Sequence, residues 1–155
     1  MAADIRSLWD RLSGRPGGRW IFSKLLGRMV PYTGSIKPRV LELTSSGARI
    51  ELRDRRAIRN HLHSIHAIAL ANLAELSTGL PLAYAVQPRG RAILLSLDVQ
   101  FLKKARGSLV GSSSFVAPDP TREADIEIPV EVRDADGNVV ARARARWRVG
   151  PVKPR

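Results

Sequence analysis

The chain has 155 residues, a net charge of +12 and no cysteine. This length suits one domain with a substantial core. The lack of cysteine excludes disulfides, thiolate catalysis and cysteine-based zinc sites. The first residues do not form a cationic start followed by an apolar run, so we predict a cytoplasmic protein without a secretory signal. The basic residues are nearly all arginine, as a GC-rich genome also produces, so charge alone does not assign a nucleic-acid or membrane partner.

Two short helices are predicted near the N-terminus. Apolar residues recur at helical spacing from Ile5 to Leu12 and again from Trp20 to Met29. The sequence RPGG at residues 15–18 separates the two segments, and Pro31 is predicted to end the second. We assign residues 1–35 to a helical extension that packs on the body of the protein.

Alternation with a period of two begins at Ile36 and predicts strands. The first pair is expected at residues 40–44 and 48–52, the second at 92–104 and 107–115, and the third at 126–133 and 138–149. Along the last strand, Ala141, Ala143, Ala145, Trp147 and Val149 are expected to face one side of the sheet. The arginines from Arg142 to Arg148 are expected to face the other.

A long apolar segment at residues 67–86 contains one charged residue, Glu75. Inserting this carboxylate into a bilayer would cost about 3 kcal/mol, so the segment predicts a buried helix of a soluble domain and no transmembrane segment. We expect Gly79, Pro81 and finally residues 88–90 to end the helix. An unpaired acid in such a helix is costly and is kept mainly for chemistry or for a buried ion pair.

This order of elements predicts an α+β fold. An antiparallel sheet of about six strands would wrap around one central helix, with the small inward residues of the last strand allowing the helix to approach closely. The predicted body covers residues 36–150, and residues 151–155 form a C-terminal tail.

Across residues 36–149 the sequence resembles the hotdog-fold thioesterases, most closely the phenylacetyl-CoA thioesterase branch and a related group of uncharacterised proteins. The shared motif is an asparagine, a histidine six residues later and an acid nine residues after that, here Asn60, His66 and Glu75. The segments LAELSTG and LDVQFLKKARG also resemble that family. The family's two glycines after the histidine are replaced by Ala67 and Ile68, and the nearest branch commonly has aspartate as the acid.

The resemblance implies an acyl-CoA thioesterase in which Glu75 acts as general base or nucleophile, with Asn60 and His66 assisting. The backbone N–H groups of Ala67 and Ile68 would stabilise the negative charge that develops on the thioester oxygen. The substrate would be an acyl-CoA or an acyl-carrier thioester, without a cofactor or metal. A homodimer or dimer of dimers would combine the acid of one subunit with the histidine loop of another. The expected substrate-binding residues are Asn72, Thr78, Gly79, Lys103, Lys104 and Arg106.

Structural roles explain several of these residues equally simply. Glu75 could form an ion pair with an arginine at a subunit interface, and His66 could cap the helix and do nothing else. The cluster of His61, His63 and His66 could bind a metal ion, although it is short of ligands. The basic residues after Leu102 could be a solvated strand end.

Two other functions are compatible with the sequence. One is a non-catalytic protein that binds acyl thioesters on the same fold. The other, which we do not expect, is a nucleic-acid-binding module that uses the arginines from Arg142 to Arg148. The N-terminal helices could also cover an acyl channel or lie on an anionic membrane surface.

Overall fold

The computed structural model describes residues 4–152. Three helices, α1 (Ile5–Leu12), α2 (Gly18–Met29) and α3 (Pro31–Ser35), form the N-terminal extension. The prediction of two helices was incomplete because Pro31 begins a third helix. Proline suits that position, since the first turn needs no N–H donor. The buried rings of Trp9 and Phe22 lie 4.9 Å apart and belong to the main core, which confirms that the extension packs on the body.

The six predicted strands form one antiparallel sheet. Its strands are β1 (Arg39–Thr44), β2 (Gly47–Leu52), β3 (Gly90–Phe101), β4 (Leu109–Ser114), β5 (Ala124–Arg133) and β6 (Val139–Pro151). Their order in the sheet is β1-β2-β4-β5-β6-β3. The hairpins β1–β2 and β5–β6 confirm the first and third predicted pairs.

The second predicted pair was wrong, because β3 does not pair with β4. Instead β3 pairs with β6 along almost its whole length, and β4 lies between β2 and β5. The segment between β3 and β4 is not a tight turn. It carries the chain from β3 at one edge of the sheet to β4 in the other half. On the way, the carbonyl of the buried Ala105 accepts a hydrogen bond from the N–H of Ile65 at 2.8 Å.

The two faces of β6 differ as the alternation predicts. Its alanines, Trp147 and Val149 are buried, whereas the arginines point outward and pair with acids of β5. Arg142 Nε lies 3.1 Å from Glu131, and Arg148 Nε lies 2.7 Å from Asp125. This pairing is what a solvated sheet face predicts, and it leaves little free charge there for nucleic acid.

The central helix α4 (Ala67–Val86) packs against all six strands, so the sheet wraps around it as in a hotdog fold. It continues through Gly79 and Pro81, contrary to the predicted ends. Pro81 cannot donate to the carbonyl of Ser77, but the hydroxyl of Ser113 on β4 does so at 2.5 Å. The lost helical hydrogen bond is thus replaced by one to the sheet, and the helix persists to Val86. A single turn of 3-10 helix at Arg56–Ile58 precedes the loop that leads into α4.

Candidate active site

Glu75 lies half-buried in the middle of α4. Its carboxylate forms no hydrogen bond or ion pair with any residue from 4 to 152. An ion pair with an arginine across a subunit interface stays a prediction. Burial raises its pKa above the usual value for glutamate. By contrast, hydrogen bonds from Arg148 and Arg59 lower the pKa of Asp125 and Asp54. Glu75 is therefore a carboxylate that is partly withdrawn from water without a compensating cation.

The carboxylate opens onto a cavity of about 580 Å³ between α4 and the N-terminal extension. Its walls are mainly apolar and include Leu26 and Val30 of α2, together with Leu76, Leu80, Ala83 and Val86 of α4. The N–H of Ile5 donates to the side-chain oxygen of Gln87 at 3.0 Å, which ties the start of α1 to the end of α4. The extension thus packs on the body and forms one wall of this cavity, whose size and lining suit an apolar small-molecule group.

Gly79 lies close to both the Trp147 ring and the Glu75 carboxylate, and a larger residue would not fit there. A Cβ atom at Gly79 would lie 2.7 Å from Cη2 of Trp147 and 3.1 Å from Oε1 of Glu75. The indole N–H donates to the Thr78 hydroxyl at 3.1 Å, and that hydroxyl donates to the backbone carbonyl of Glu75 at 2.9 Å. Thr78 is fully buried, so it holds Trp147 in place and does not face the cavity as a substrate-binding residue would.

His66 is the N-cap of α4. Its Nδ1 accepts a hydrogen bond from the N–H of Ile68 at 3.1 Å, and its imidazole is exposed. The side chain of His66 therefore caps the N-terminus of α4. This cap also corrects the prediction of two free oxyanion donors, because His66 occupies the Ile68 N–H. The N–H of Ala67 donates to no residue of the described range and remains available.

Asn60 organises the loop before α4. Its Oδ1 accepts from the N–H of Leu62 at 2.9 Å, and from the N–H and hydroxyl of Ser64 at 3.2 and 3.1 Å. It lines a shallow cavity of about 330 Å³ together with Ala67, Lys103 and Lys104. Asn60 therefore fixes the position of the Ala67 end of the helix by shaping the loop that leads to it.

The predicted phosphate contacts are only partly free. Lys103 Nζ lies 3.3 Å from the Asp134 carboxylate, and the Arg106 guanidinium donates to the carbonyl of Leu62 at 3.4 Å. Lys104 is exposed and has no ion-pair partner among residues 4–152. Two of the three cations thus already serve local structure.

One chain does not bring Asn60, His66 and Glu75 together. Glu75 is nine positions after His66, which corresponds to about 13.5 Å along the axis of α4. His66 lines a separate small cavity of about 180 Å³ with Asn72, whose amide donates to the carbonyl of Tyr32 at 3.3 Å. Asn72 therefore shares a cavity with His66 and not with Glu75 and Gly79. Any chemistry that needs all three motif residues requires a second copy of the chain.

Neither a metal centre nor a membrane span is found between residues 4 and 152. No three histidine or acidic side chains there converge as metal ligands, so His61, His63 and His66 do not form such a group. In the same part of the chain, no helix is long and apolar enough to cross a bilayer.

Solved structures with the same architecture include several named as thioesterases. A structural-genomics protein is 27% identical, with 97% of this chain and all of that chain covered and a TM-score of 0.83. A protein of unknown function from Pseudomonas aeruginosa, described as a probable thioesterase, is 20% identical over 84% of this chain and 93% of its own, with a TM-score of 0.75. A thioesterase from Haemophilus influenzae is 9% identical over 79% and 85%, with a TM-score of 0.70.

No curated protein sequence matches the chain. Residues 18–149 match the sequence family described as a domain of unknown function, DUF4442. The match begins at the first residue of α2 and ends near the end of β6, so it includes the helix with Glu75 and every strand of the sheet. The protein therefore belongs to the DUF4442 family and has the hotdog fold of its thioesterase-like structural neighbours.

Proposed function

We propose that this protein hydrolyses the thioester bond of an acyl-CoA, with Glu75 as the catalytic carboxylate. The observation that carries the proposal is the unpaired, half-buried Glu75 beside an apolar cavity that can hold an acyl chain. Thioesterases among the structural neighbours support the same reaction class. An acyl group carried on an acyl carrier protein is the second candidate substrate.

Glu75 can act in either of two ways. As a general base, its carboxylate removes a proton from water while the water oxygen attacks the thioester carbon. The C–S bond then breaks, and the thiolate recovers the proton. As a nucleophile, the carboxylate oxygen itself forms a bond to that carbon and releases the thiolate, and water cleaves the resulting anhydride to regenerate Glu75. Both routes need the ionised form, and the raised pKa strengthens its basicity.

The proposal also requires a homodimer. Negative charge develops on the thioester oxygen, and the free N–H of Ala67 at the positive end of α4 is suited to receive it. This N–H lies about 12 Å from Glu75 along the same helix. A second copy packed on α4 would place its Ala67 near the first copy's Glu75, as the resemblance implies.

A non-catalytic binder of acyl thioesters is the alternative that one observation favours. Since His66 occupies the Ile68 N–H, at most one backbone donor of this turn can stabilise the oxyanion. A site with weak oxyanion stabilisation would still bind the acyl group in the Glu75 cavity but would release thiol slowly.

The deciding experiment measures thiol release from short, long and aromatic acyl-CoAs by the native protein and by Glu75→Gln. Loss of the carboxylate is expected to lower the rate by about 10²- to 10⁴-fold. The matched control is Glu127→Gln, since Glu127 is an exposed acid of β5 far from the cavity lining. No turnover of any acyl-CoA by the native protein would favour the binder. Unchanged turnover by Glu75→Gln would exclude Glu75 as the catalytic group.

A further inference from the structure

A second cavity, of about 500 Å³, lies on another face of α2, and its lining is strongly basic. It is bounded by α2, by the segment that enters β1 and by the residues that follow β2. None of the described residues that line it is acidic. Its cationic residues, called the basic groove from here on, are Lys24, Arg28, Lys37, Arg39, Arg53 and Arg55.

The charge of the basic groove is largely unneutralised. Glu51 lies 3.1 Å from Arg53 and 3.9 Å from Arg39, and it is the acid these two arginines share. Lys24, Arg28 and Lys37 form no ion pair with any residue from 4 to 152. The arginines of β6 are different, because each from Arg142 to Arg148 has an acid of β5 within 4 Å. The cations of the basic groove are therefore available to an external anion.

Arg55 adds a buried donor that the protein itself does not satisfy. Its Nη2 donates to the carbonyl of Ser35, but its Nε is buried and has no partner in the described part of the chain. A buried donor without an acceptor is unfavourable, and native proteins rarely keep one unless a ligand or water completes it. This Nε has no exposed surface, so a phosphate oxygen would reach it only if the groove rearranged, but the guanidinium still adds a positive charge to the lining of the groove.

An exposed aromatic ring lies at one end of the basic groove. Trp20 is 56% exposed, and Lys24 Nζ lies 5.4 Å from the centre of its ring. The other two tryptophans, Trp9 and Trp147, are only 5% and 6% exposed. Aromatic rings beside basic side chains bind nucleotides, because the ring stacks on the base while the cations contact the phosphates.

We propose that the basic groove binds the clustered phosphates of a nucleotide, with its base against Trp20. The cavity volume lies within the range of small-molecule sites. The nucleotide could be free or could be the nucleotide part of coenzyme A. Only the coenzyme A source rests on the proposed function, because phosphate recognition in the groove does not require hydrolysis.

In the test, the 155-residue protein is titrated with ADP, coenzyme A and adenosine at about 150 mM salt. Binding is measured by calorimetry and by tryptophan fluorescence. Saturable binding of ADP or coenzyme A is expected. The quenching caused by ADP should disappear in Trp20→Phe, because Trp9 and Trp147 are buried and neither lines the basic groove. Adenosine, which lacks phosphate, is expected to bind at least about tenfold more weakly. Tighter binding of coenzyme A than of ADP identifies the nucleotide part of coenzyme A as the ligand, and the reverse identifies a free nucleotide.

Two double variants separate a site from general attraction to a basic protein. Lys24→Gln with Arg28→Gln is expected to weaken nucleotide binding by about tenfold or more. Arg142→Gln with Arg144→Gln removes the same charge from the outer sheet face and is expected to leave binding unchanged. Equal weakening in both, or no saturable binding of either nucleotide to the native protein, overturns the proposal.

The same measurements keep this proposal distinct from the hydrolase proposal. Coenzyme A binding in the groove by a protein that hydrolyses no acyl-CoA refutes hydrolysis alone. Hydrolysis with an unchanged KM in the Lys24→Gln and Arg28→Gln variant, together with no nucleotide binding, refutes the groove alone.

Discussion

The middle of α4 and its N-terminal end present their polar groups to different surroundings. In the middle, Glu75 has no polar partner among residues 4–152 and borders an apolar cavity, with Gly79 and Trp147 packed closely beside it. At the end, His66 and the loop of Asn60 are exposed or half-buried and already occupied by local hydrogen bonds. The middle therefore carries a carboxylate without a partner, whereas the polar groups at the end bond to one another and leave one free donor among the described residues, the Ala67 N–H.

This difference shows what each half of the candidate site can contribute. A carboxylate that lacks partners is able to take a proton or attack a carbon. A capped helix end offers a fixed dipole and an N–H group and needs no titratable side chain. In the proposed hydrolysis, His66 and Asn60 would therefore be positioning residues, and Glu75 would be the reacting group.

Ala67→Pro removes the free N–H without disturbing the fold. Ala67 is the first residue of α4, where proline is well tolerated, and His66 before it has the extended backbone (ψ 140°) that a following proline requires. If this N–H stabilises the oxyanion, thiol release is expected to fall by about 10²- to 10³-fold with little change in Tm. Steady-state kinetics and thermal unfolding measure the two effects.

Ala67→Gly is the matched control for that substitution. It changes the same side chain but keeps the N–H group, so it is expected to affect activity much less. Equal losses in the two variants would show that the altered side chain at residue 67, and not the missing N–H donor, impairs hydrolysis. Co-expression of Glu75→Gln with Ala67→Pro sharpens the comparison further. If the two halves meet across a two-fold dimer, mixed dimers carry one intact site, and about a quarter of the native activity should return.

Gly79→Ala is expected to disturb the middle of the helix. The new methyl group would lie 2.7 and 2.9 Å from two ring carbons of Trp147, whose indole is held by Thr78. Overpacking typically costs about 1–3 kcal/mol, and the better helix propensity of alanine returns about 1 kcal/mol. We therefore expect a net loss of up to about 2 kcal/mol in the free energy of unfolding, with reduced activity because Glu75 is displaced.

Denaturant unfolding and acyl-CoA hydrolysis measure these two consequences of Gly79→Ala. Gly14→Ala serves as the control, since a Cβ atom there meets nothing within 4 Å. A Gly79→Ala variant that is more stable than the native protein and fully active would show that the Trp147 ring moves aside freely.

Sequence patterns predicted the elements that depend on local periodicity and missed those that depend on distant partners. The isolation of Glu75 in an apolar segment identified both the central helix and its acid, and the alternation along β6 predicted its buried face. The partner of β3 could not be predicted from the alternation of apolar and polar residues, because a strand shows the same alternation whichever strand it pairs with. The persistence of α4 through Pro81 depends on Ser113, which lies 32 residues further along the chain.

The candidate site shows the same division. The motif spacing identified Asn60, His66 and Glu75, but it could not show that the His66 side chain takes up the Ile68 N–H, because that depends on one rotamer. The spacing also could not predict that Trp147 packs against Gly79 or that the N-terminal helices line the Glu75 cavity. Both contacts come from tertiary packing. The only local signal for the Trp147 contact was the small size of Gly79.

His66 variants test the helix end with a smaller effect. His66→Ala removes the cap and is expected to cost about 1 kcal/mol, or a few degrees in Tm. His66→Asn restores a good N-cap side chain without an imidazole. If His66 only caps the helix, Asn recovers both stability and activity. Recovery of stability alone would show that the imidazole takes part in the reaction.

The smallest expected effect concerns the stability of Glu75→Gln. Burial raises the pKa of Glu75 in the folded state above its unfolded value, so the folded protein holds this proton more tightly. Stability is then lost as pH rises from the unfolded to the folded pKa, and the full penalty applies above that window. Glutamine carries no charge, so Glu75→Gln is expected to be slightly more stable than the native protein at neutral pH. The gain should vanish at acidic pH, below the ordinary glutamate value.

Solvent contact of the half-buried carboxylate keeps this gain small, so the informative quantity is the difference in Tm between Glu75→Gln and the native protein at several pH values. Glu123→Gln is the reference for removing an exposed charge, because Glu123 is exposed and forms no ion pair with any residue from 4 to 152. A gain in Tm that persists unchanged into the acidic range would mean that burial does not raise the pKa of Glu75. The carboxylate would then lack the raised basicity on which the contrast between the two parts of α4 depends.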